Sequence, residues 1–517
     1  MGAPVIPITG IDATWRVPGA YAEILFAQGP ATASAGVREI IIVMPKLSAG
    51  LWTAATKYKV QNEKDAEDGA GAGSPIHRAV RMILQANKNA KIWAVPVSET
   101  SGGSPIAATA VLTIATNATG TGTLTVTICG EECAYTFLNT NTPTIIGDGI
   151  RDAINAKTWL PVVAVNVTGT VTLTAKLKGI SQGTATLGVI RVRATITAGV
   201  GTTAVFGGAF LGSGATGVEG STTEAANTLT ALNTIVAVNK YYLVSSANDA
   251  TTLGHFKTHC ATKAEPRQGI FSVTIAGYTG SAATAQTLAT GKNYERLALY
   301  CQPNSEHDSA EIAGNVAAIR QKREQTDSSY NLAGYSEPDW LIKQAFADAD
   351  WPDADDLNDM INDGVSPIAS KEGGSYLVMS VNTRSKISTG TIDDFRACET
   401  HRVSAADEFV TQMVNQARLD HQGKKLENDQ FLADGTVNPS QPRKRGVIRP
   451  STLRKPICLQ LDEFEAAGKL QNVQKSKDSL RTVKSPANAA RVECGLDLYV
   501  IDHAHQFTFR VAENSTG

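Results

Sequence analysis

Short, almost wholly apolar runs alternate with amphipathic stretches along much of the chain. Glu39 to Met44 reads EIIIVM, which predicts a strand buried on both faces. SPIHRAVRMILQANKN then offers Ser74 as N-cap and Pro75 at the first helical position, with Ile76, Val80, Ile83 and Leu84 on one face. KIWAVPV follows as a second buried strand, completing a β-α-β unit. Past Thr222 the same rhythm returns. TEAANTLTALNTIV, DATTLGHFKTHCATKA (capped by Asp249), SAATAQTLATGKN and DSAEIAGNVAAIRQKREQTD read as helices. KYYLVSSAN, GIFSVTIAG and ERLALYCQPN between them read as strands. Units of this length predict a mainly parallel sheet covered by helices, and the strands before residue 98 are expected to join it.

Between Ser98 and about Ser221 the pattern changes to period-2 alternation, in AVLTIAT, GTLTVTIC, CAYTFLN, VVAVNVTG and TVTLTAKLKG. The segment is rich in Thr, Gly and Ala and poor in charge. One helix interrupts it, PTIIGDGIRDAINAKT, with Ile145, Ile146, Ile150 and Ile154 near helical spacing. Gly/Ser-rich hinges at both ends suggest an inserted domain. After Tyr330 the rhythm breaks into an irregular stretch to Asp359. Beyond it come LNDMINDGVSPIAS, a strand pair near SYLVMSVNTRS, the helix VSAADEFVTQMVNQARLDHQG, a basic loop and a second long helix over STLRKPICLQLDEFEAAGKLQN. ARVECGLDLYVI and HQFTFRV read as closing strands. The fold class expected is α/β: a mainly parallel core (23–97 plus 222–330), an inserted β-rich hairpin-helix-hairpin domain (98–221) and an α+β C-terminal domain (331–505). Extended arms are expected at 1–22, where Pro4, Pro7 and Pro18 break periodicity, and at 506–517.

A length of 517 residues sets an expectation of about two to four domains. With 47 basic and 49 acidic residues, bulk positive charge cannot drive nucleic-acid binding. The first residues lack the pattern of a signal peptide, and Ile6 stands where a myristoylation signal needs Ser or Thr. No apolar run reaches bilayer-spanning length. These features lead to the expectation of a soluble chain made in a cytoplasm, with no membrane insertion.

Candidate chemistry is sparse. DGAGAGSP is glycine-rich before a helix, but lacks the Lys-Ser/Thr pair of a phosphate loop and does not match GxGxxG. A flexible loop is the simpler reading; a nucleotide-binding α/β enzyme is the alternative it keeps open. HFKTHC places His255 and His259 one turn apart, with Phe256 where a metallopeptidase needs Glu, so structural histidines are expected. DADWPDADDLND gathers Asp348, Asp350, Asp353, Asp355, Asp356 and Asp359 without the Gly and Glu of an EF-hand; it reads as a solvated acidic loop or a charged contact surface. QPRKRGVIRPSTLRKP is strongly basic without interleaved aromatics, which fits a protein-docking patch as well as a nucleic-acid site. The seven cysteines are scattered and odd in number, as small buried hydrophobes would be. Within TICGEECAYTF, however, a three-residue Gly-Glu-Glu loop would leave Cys129 and Cys133 flanking a hairpin, where a disulfide could cross it. No catalytic constellation stands out.

Several of these segments, in this order, resemble contractile tail sheath proteins, especially those of Mu-like phages. They are RVPGAYAEI, GSPIHRAVRMILQANKNAKIWAVPV, the inserted GTLTVTICGEECAYTF…DGIRDAINA…LPVVAVNVTGTVTLTAKLKG, LNDMINDGVSPIA, and VIRPSTLRKPICLQLDEFEAAGKLQN before a terminal QFTFRV. The resemblance covers most of the chain. It implies a structural subunit of a virion, assembled in the host cytoplasm, with no catalytic residues, metal or cofactor. Such subunits stack as six-membered rings around a tail tube and switch from a long, narrow state to a short, wide one. Baseplate and tail terminator proteins are the further partners it implies, with no direct nucleic-acid contact. On matching positions it assigns intersubunit strand exchange to Trp15, Val17 and Tyr21 of the N-terminal arm and to Phe507, Phe509 and Val511 of the C-terminal strand. It assigns tube docking through charge to Arg418, Lys424 and Lys425 near one helix end and to Arg443, Lys444 and Arg445 of the basic loop.

Overall fold

The EIIIVM run forms the strand its pattern predicts. The computed structural model describes residues 38–184, 189–236, 240–345, 352–386 and 398–503. The first segment holds β1 (Glu39–Ile42), β2 (Tyr58–Val60), α1 (Glu63–Ala70), α2 (Pro75–Ala86) and β3 (Ile92–Ala94). Ser74 caps α2 by accepting from the His77 backbone N–H, with Pro75 at the first helical position. The next segment holds β4 (Thr109–Ile114), β5 (Gly122–Ile128), β6 (Glu131–Phe137), α3 (Pro143–Asn155), β7 (Val162–Val167), β8 (Thr170–Ala175), β9 (Val192–Ile196) and β10 (Ala204–Phe206). Then come α4 (Glu224–Asn233), β11 (Tyr241–Ser245), α5 (Ala250–Ala264), β12 (Val273–Tyr278), α6 (Ala282–Lys292), β13 (Leu297–Cys301), α7 (Ser309–Glu324), α8 (Ala354–Asn362), β14 (Val365–Lys371) and β15 (Gly374–Leu377). The last segment holds α9 (Thr400–His421), β16 (Lys425–Leu426), β17 (Val447–Ile448), α10 (Pro450–Ala466), α11 (Val473–Ser479), β18 (Arg481–Lys484) and β19 (Val492–Gly495).

The main sheet runs β15-β14-β13-β12-β11-β1-β3-β2. Its six inner strands are parallel, and β2 and β15 close the two edges antiparallel. Alternate residues face opposite cores. Ile40, Ile42, Tyr242, Val244 and Ile275 pack with α2 and α7, while Ile41, Val43, Leu243, Leu299 and Cys301 pack with α4, α5 and α6. Burial on both faces is why these strands read as unbroken apolar runs. The sheet does not stop at residue 330, where the sequence reading ended the core. β14 and β15 extend it to Leu377, because Val365 and Ile368 bury their side chains beside those of β13. The irregular stretch after Tyr330 lies over this core through Leu332, Tyr335 and Ile342.

The alternating segment forms two antiparallel sheets, β10-β4-β8-β7 and β6-β5-β9, around their own core. Helix α3 drives Ile146, Ile150 and Ile154 into that core, while Ile145 stays exposed. Its last residue, Asn155, bonds both backbone groups of Ala164 (2.9 Å each) and so blocks the edge of β7. Two antiparallel linkers join this lobe to the main sheet, with bridges Ser101↔Thr222 and Ile106↔Val218.

The β5–β6 hairpin corrects the sequence reading. Cys129 and Gly130, at φ 48° and 72°, form a two-residue turn, the doubly left-handed geometry whose twist suits a hairpin. Val126 therefore faces Cys133, and Ile128 faces Glu131. Cys129 stands in the turn, outside the ladder, and the disulfide that the sequence left possible between Cys129 and Cys133 does not form. Both thiols are free and buried.

Candidate assembly surfaces

Two buried ion networks set the lobes relative to one another. Arg78 of α2 pairs with Asp308, the N-cap of α7, and donates to Gln182 of the inserted lobe at 3.1 Å. The Cys129 Sγ lies 3.9 Å from the same guanidinium. Around this centre Arg81 and Lys157 both reach Glu131, at 3.2 and 3.1 Å, and Arg81 stacks over Trp159. Lys343 donates to the Gly130 carbonyl at the hairpin turn. The inserted lobe is thus held by charges that its own apolar core leaves at the boundary.

The glycine-rich DGAGAGSP is part of the same seat. A Cβ at Gly73 would stand 2.2 Å from the Leu160 carbonyl, and Lys176 donates to Ala72 at 3.1 Å. The loop expected to be flexible is packed against the inserted lobe. His259 accepts or donates at 2.7 Å to the Tyr241 hydroxyl, and burial pushes its pKa down to about 4, as a structural histidine. Asp353 caps α8 and Asp355 and Asp356 lie in its first turn, so this part of the acidic stretch stabilises a helix N-terminus. Asp348 and Asp350 lie outside the described residues.

The second network joins the main sheet to α9. Asp407, fully buried, takes two bonds of 2.8 Å from Arg296 and one of 2.5 Å from Arg38. Glu324 bonds Arg38 at 3.2 Å and Arg320 at 3.1 Å. Burial alone would raise both carboxyl pKa values. Arg296 and Arg38 override it at Asp407, and Arg38 and Arg320 at Glu324, so both stay below their usual range. No periodicity or motif marks these residues in the sequence.

Helix α9 is buried over its first half, Thr400 to Val410, and emerges over its second. Phe409 meets Phe464 of α10 edge to face at 5.6 Å, in a core completed by Leu461, Leu470, Leu480 and Val500. Past α9 the chain pairs β16 with β17 in parallel, Lys425 opposite Val447. That pairing brings together the two cationic segments that the sequence reading named separately. Arg418, Lys424, Lys425, Arg443, Lys444 and Arg445 are all exposed. Lys444 turns back to Glu427, which Arg449 also holds at 2.9 Å. The strands β18 and β19 form a two-stranded antiparallel sheet with no third strand among the described residues. Trp15, Val17, Tyr21, Phe507, Phe509 and Val511 lie outside the described residues. Among the described residues no helix is long and apolar enough to cross a membrane, and no cluster of metal-ligating side chains occurs.

No protein-family model matches the chain. The Mu-like prophage FluMu tail sheath protein of Haemophilus influenzae is 27% identical over 177 residues, 34% of this chain and 35% of that protein. The chain thus matches about a third of the length of this curated relative. The sheath tail protein of Desulfitobacterium hafniense aligns at 13% identity and a TM-score of 0.44, covering 93% of this chain and all of that one. The anti-feeding prophage helical sheath in its contracted state aligns at 9% identity and a TM-score of 0.44, covering 97% of this chain and all of that one. Over the matched third of its length, the chain is similar to a tail sheath protein of a Mu-like prophage.

Proposed function

We propose that this chain is a structural subunit of a contractile tail sheath in a virion. Subunits stack as six-membered rings around a tail tube, and contraction drives the tube through the host envelope. The observation that carries the reading is the 177-residue similarity to a Mu-like prophage tail sheath protein. In this reading residues 98–221 form an outer domain, the main sheet the inner layer, and the lobe built on α9, α10 and α11 the assembly domain. The arms of neighbouring subunits add strands to β18–β19, through Trp15, Val17 and Tyr21 at one end and Phe507, Phe509 and Val511 at the other. A two-stranded sheet is marginal by itself, and the lack of a third strand beside β18 and β19 among the described residues supports this assignment. The cations at Arg418, Lys424, Lys425, Arg443, Lys444 and Arg445 face the tube, and the partners beyond it are baseplate and terminator proteins. Work comes from a change between two intersubunit packings, with no cofactor.

Negative-stain microscopy of the purified protein tests the reading. Rings or tubular polymers are expected; a protein that stays a compact monomer at every concentration and salt level refutes it. Charge reversal at Arg443, Lys444 and Arg445 is expected to weaken assembly on tubes while leaving the fold intact. Unchanged assembly removes this loop from the tube-facing set.

A further inference from the structure

Between β16 and β17 the chain throws out a short hairpin that the function above does not use. Phe431 and Val437 pair across it, the Leu432 N–H donates to the Thr436 carbonyl and its carbonyl accepts from the Gly435 N–H, and Asp434 caps the apex by accepting from the Thr436 N–H at 2.9 Å. Its base is clamped: Gln441 accepts from the Gln430 N–H at 2.9 Å and donates to the Asn428 carbonyl, while Arg449 holds Glu427. The projection is thus held at its base and apex by hydrogen bonds, yet every residue from Phe431 to Val437 is exposed. Phe431 is 65% exposed and Leu432 45%. Phe431 and Val437 face each other across the tip, so their exposed apolar side chains are paired rather than scattered singly, as at a contact site.

The charges at the base of the hairpin are unbalanced. Arg418, Lys424, Lys425, Arg443 and Arg445 carry no ion pair among the described residues. Of the nearby acids, Glu427 is paired with Lys444 and Arg449, while Asp420, Asp429 and Asp434 take neutral donors and keep their charge, so the seven cations, Lys444 and Arg449 included, outnumber the four acids. A complementary partner surface is acidic and offers an apolar socket. We propose that the Phe431–Val437 hairpin is an apolar anchor that seats in such a socket on an acidic protein surface, with the surrounding cations steering it there. Under the sheath reading, on which this inference rests, that surface belongs to the tail tube. A lipid surface fits less well, because Asp434 at the apex would have to enter the headgroup layer of an anionic membrane. Charge would set the rate of docking and its salt dependence, and Phe431 the lifetime of the contact.

The test uses the full chain and naked tail tubes purified from a sheath-deleted mutant of the same particle. Phe431→Ser and Leu432→Ser are compared with the wild type for tube-free polymerisation and for tube coating by co-sedimentation, with thermal melts to establish that exposed substitutions leave the fold unchanged. The expected result is normal tube-free polymers and at least ~10-fold weaker coating. The residual coating should disappear at about 0.5 M salt, where screening removes the charge contribution, while wild-type coating is retained. Variants that coat tubes as the wild type does overturn the anchor and leave the sheath reading standing. Wild-type binding to phosphatidylglycerol vesicles that is lost in Phe431→Ser also overturns it, in favour of a lipid partner. A wild-type protein that neither polymerises nor coats tubes overturns the sheath reading, and the anchor with it.

Discussion

Asp407 shows how much of this molecule turns on single buried charges. It is enclosed with Arg38 and Arg296, and removing its charge takes away the carboxylate that holds Arg296 through two bonds and leaves Arg38 to Glu324. Asp407→Asn is expected to cost about 3–5 kcal/mol in denaturant unfolding. Its folded pKa lies below the unfolded value near 3.9, so its stabilisation is complete above that value and is lost as pH falls through the folded one. The wild type should lose stability in acid below about pH 4, and the variant should show a shallower slope there. Glu224 has the opposite sign. Burial pushes its carboxyl up to about 8, and its Oε2 lies out of solvent with no hydrogen-bond partner among the described residues. The folded state keeps this proton longer than the unfolded chain, so stability falls as pH rises from about 4 to 8. Glu224→Gln should match the wild type at pH 4 and exceed it at pH 8 by about 1–3 kcal/mol, as read from urea midpoints at the two pH values. The thiols give a third check. A non-reducing peptide map should recover Cys129 and Cys133 unpaired, and native alkylation should reach Cys458, partly exposed, before buried Cys129 or Cys301.

At the scale of elements, two glycines with the same local freedom have opposite roles. Gly277 lies in β12, where an added Cβ would stand 2.1 Å from the Ser309 carbonyl at the start of α7. Gly277→Ala should push that helix off the sheet and cost about 1–3 kcal/mol. Gly291 lies in α6 with nothing within 4 Å of an added Cβ, and Gly291→Ala should stabilise by about 0.4–1 kcal/mol. Thermal melts of the pair separate close packing from chain entropy. The caps were readable before any contact was known: Ser74 and Asp249 both accept the N-terminal bonds their positions predict. The β5–β6 turn was not. Cys129 adopts a left-handed φ that cysteine rarely takes, because the two-residue turn between paired Ile128 and Glu131 requires it.

For the whole molecule, the decisive prediction concerns its couplings. If the arms link neighbours, deleting Gln506 to Gly517 should leave a folded subunit, by melting and circular dichroism, that forms no sheath. A truncated protein that polymerises normally would sink the strand-exchange assignment. By itself the sequence determined the parallel sheet, since strands buried on both faces must be apolar throughout and the runs Ile40 to Ile42, Tyr241 to Val244 and Leu297 to Cys301 alternate with helical patterns. It determined the inserted lobe by its switch to alternation, and the presence of a basic loop near residue 443. Only the tertiary structure decided that β14 and β15 extend the sheet, that DGAGAGSP is a packed seat, and that Lys425 and Arg443 share one surface. Those outcomes depend on contacts between residues tens to hundreds of positions apart, such as Arg38 with Asp407 and Arg78 with Asp308. A pattern along the chain carries the period of an element, but not the partner that a buried charge meets across the fold.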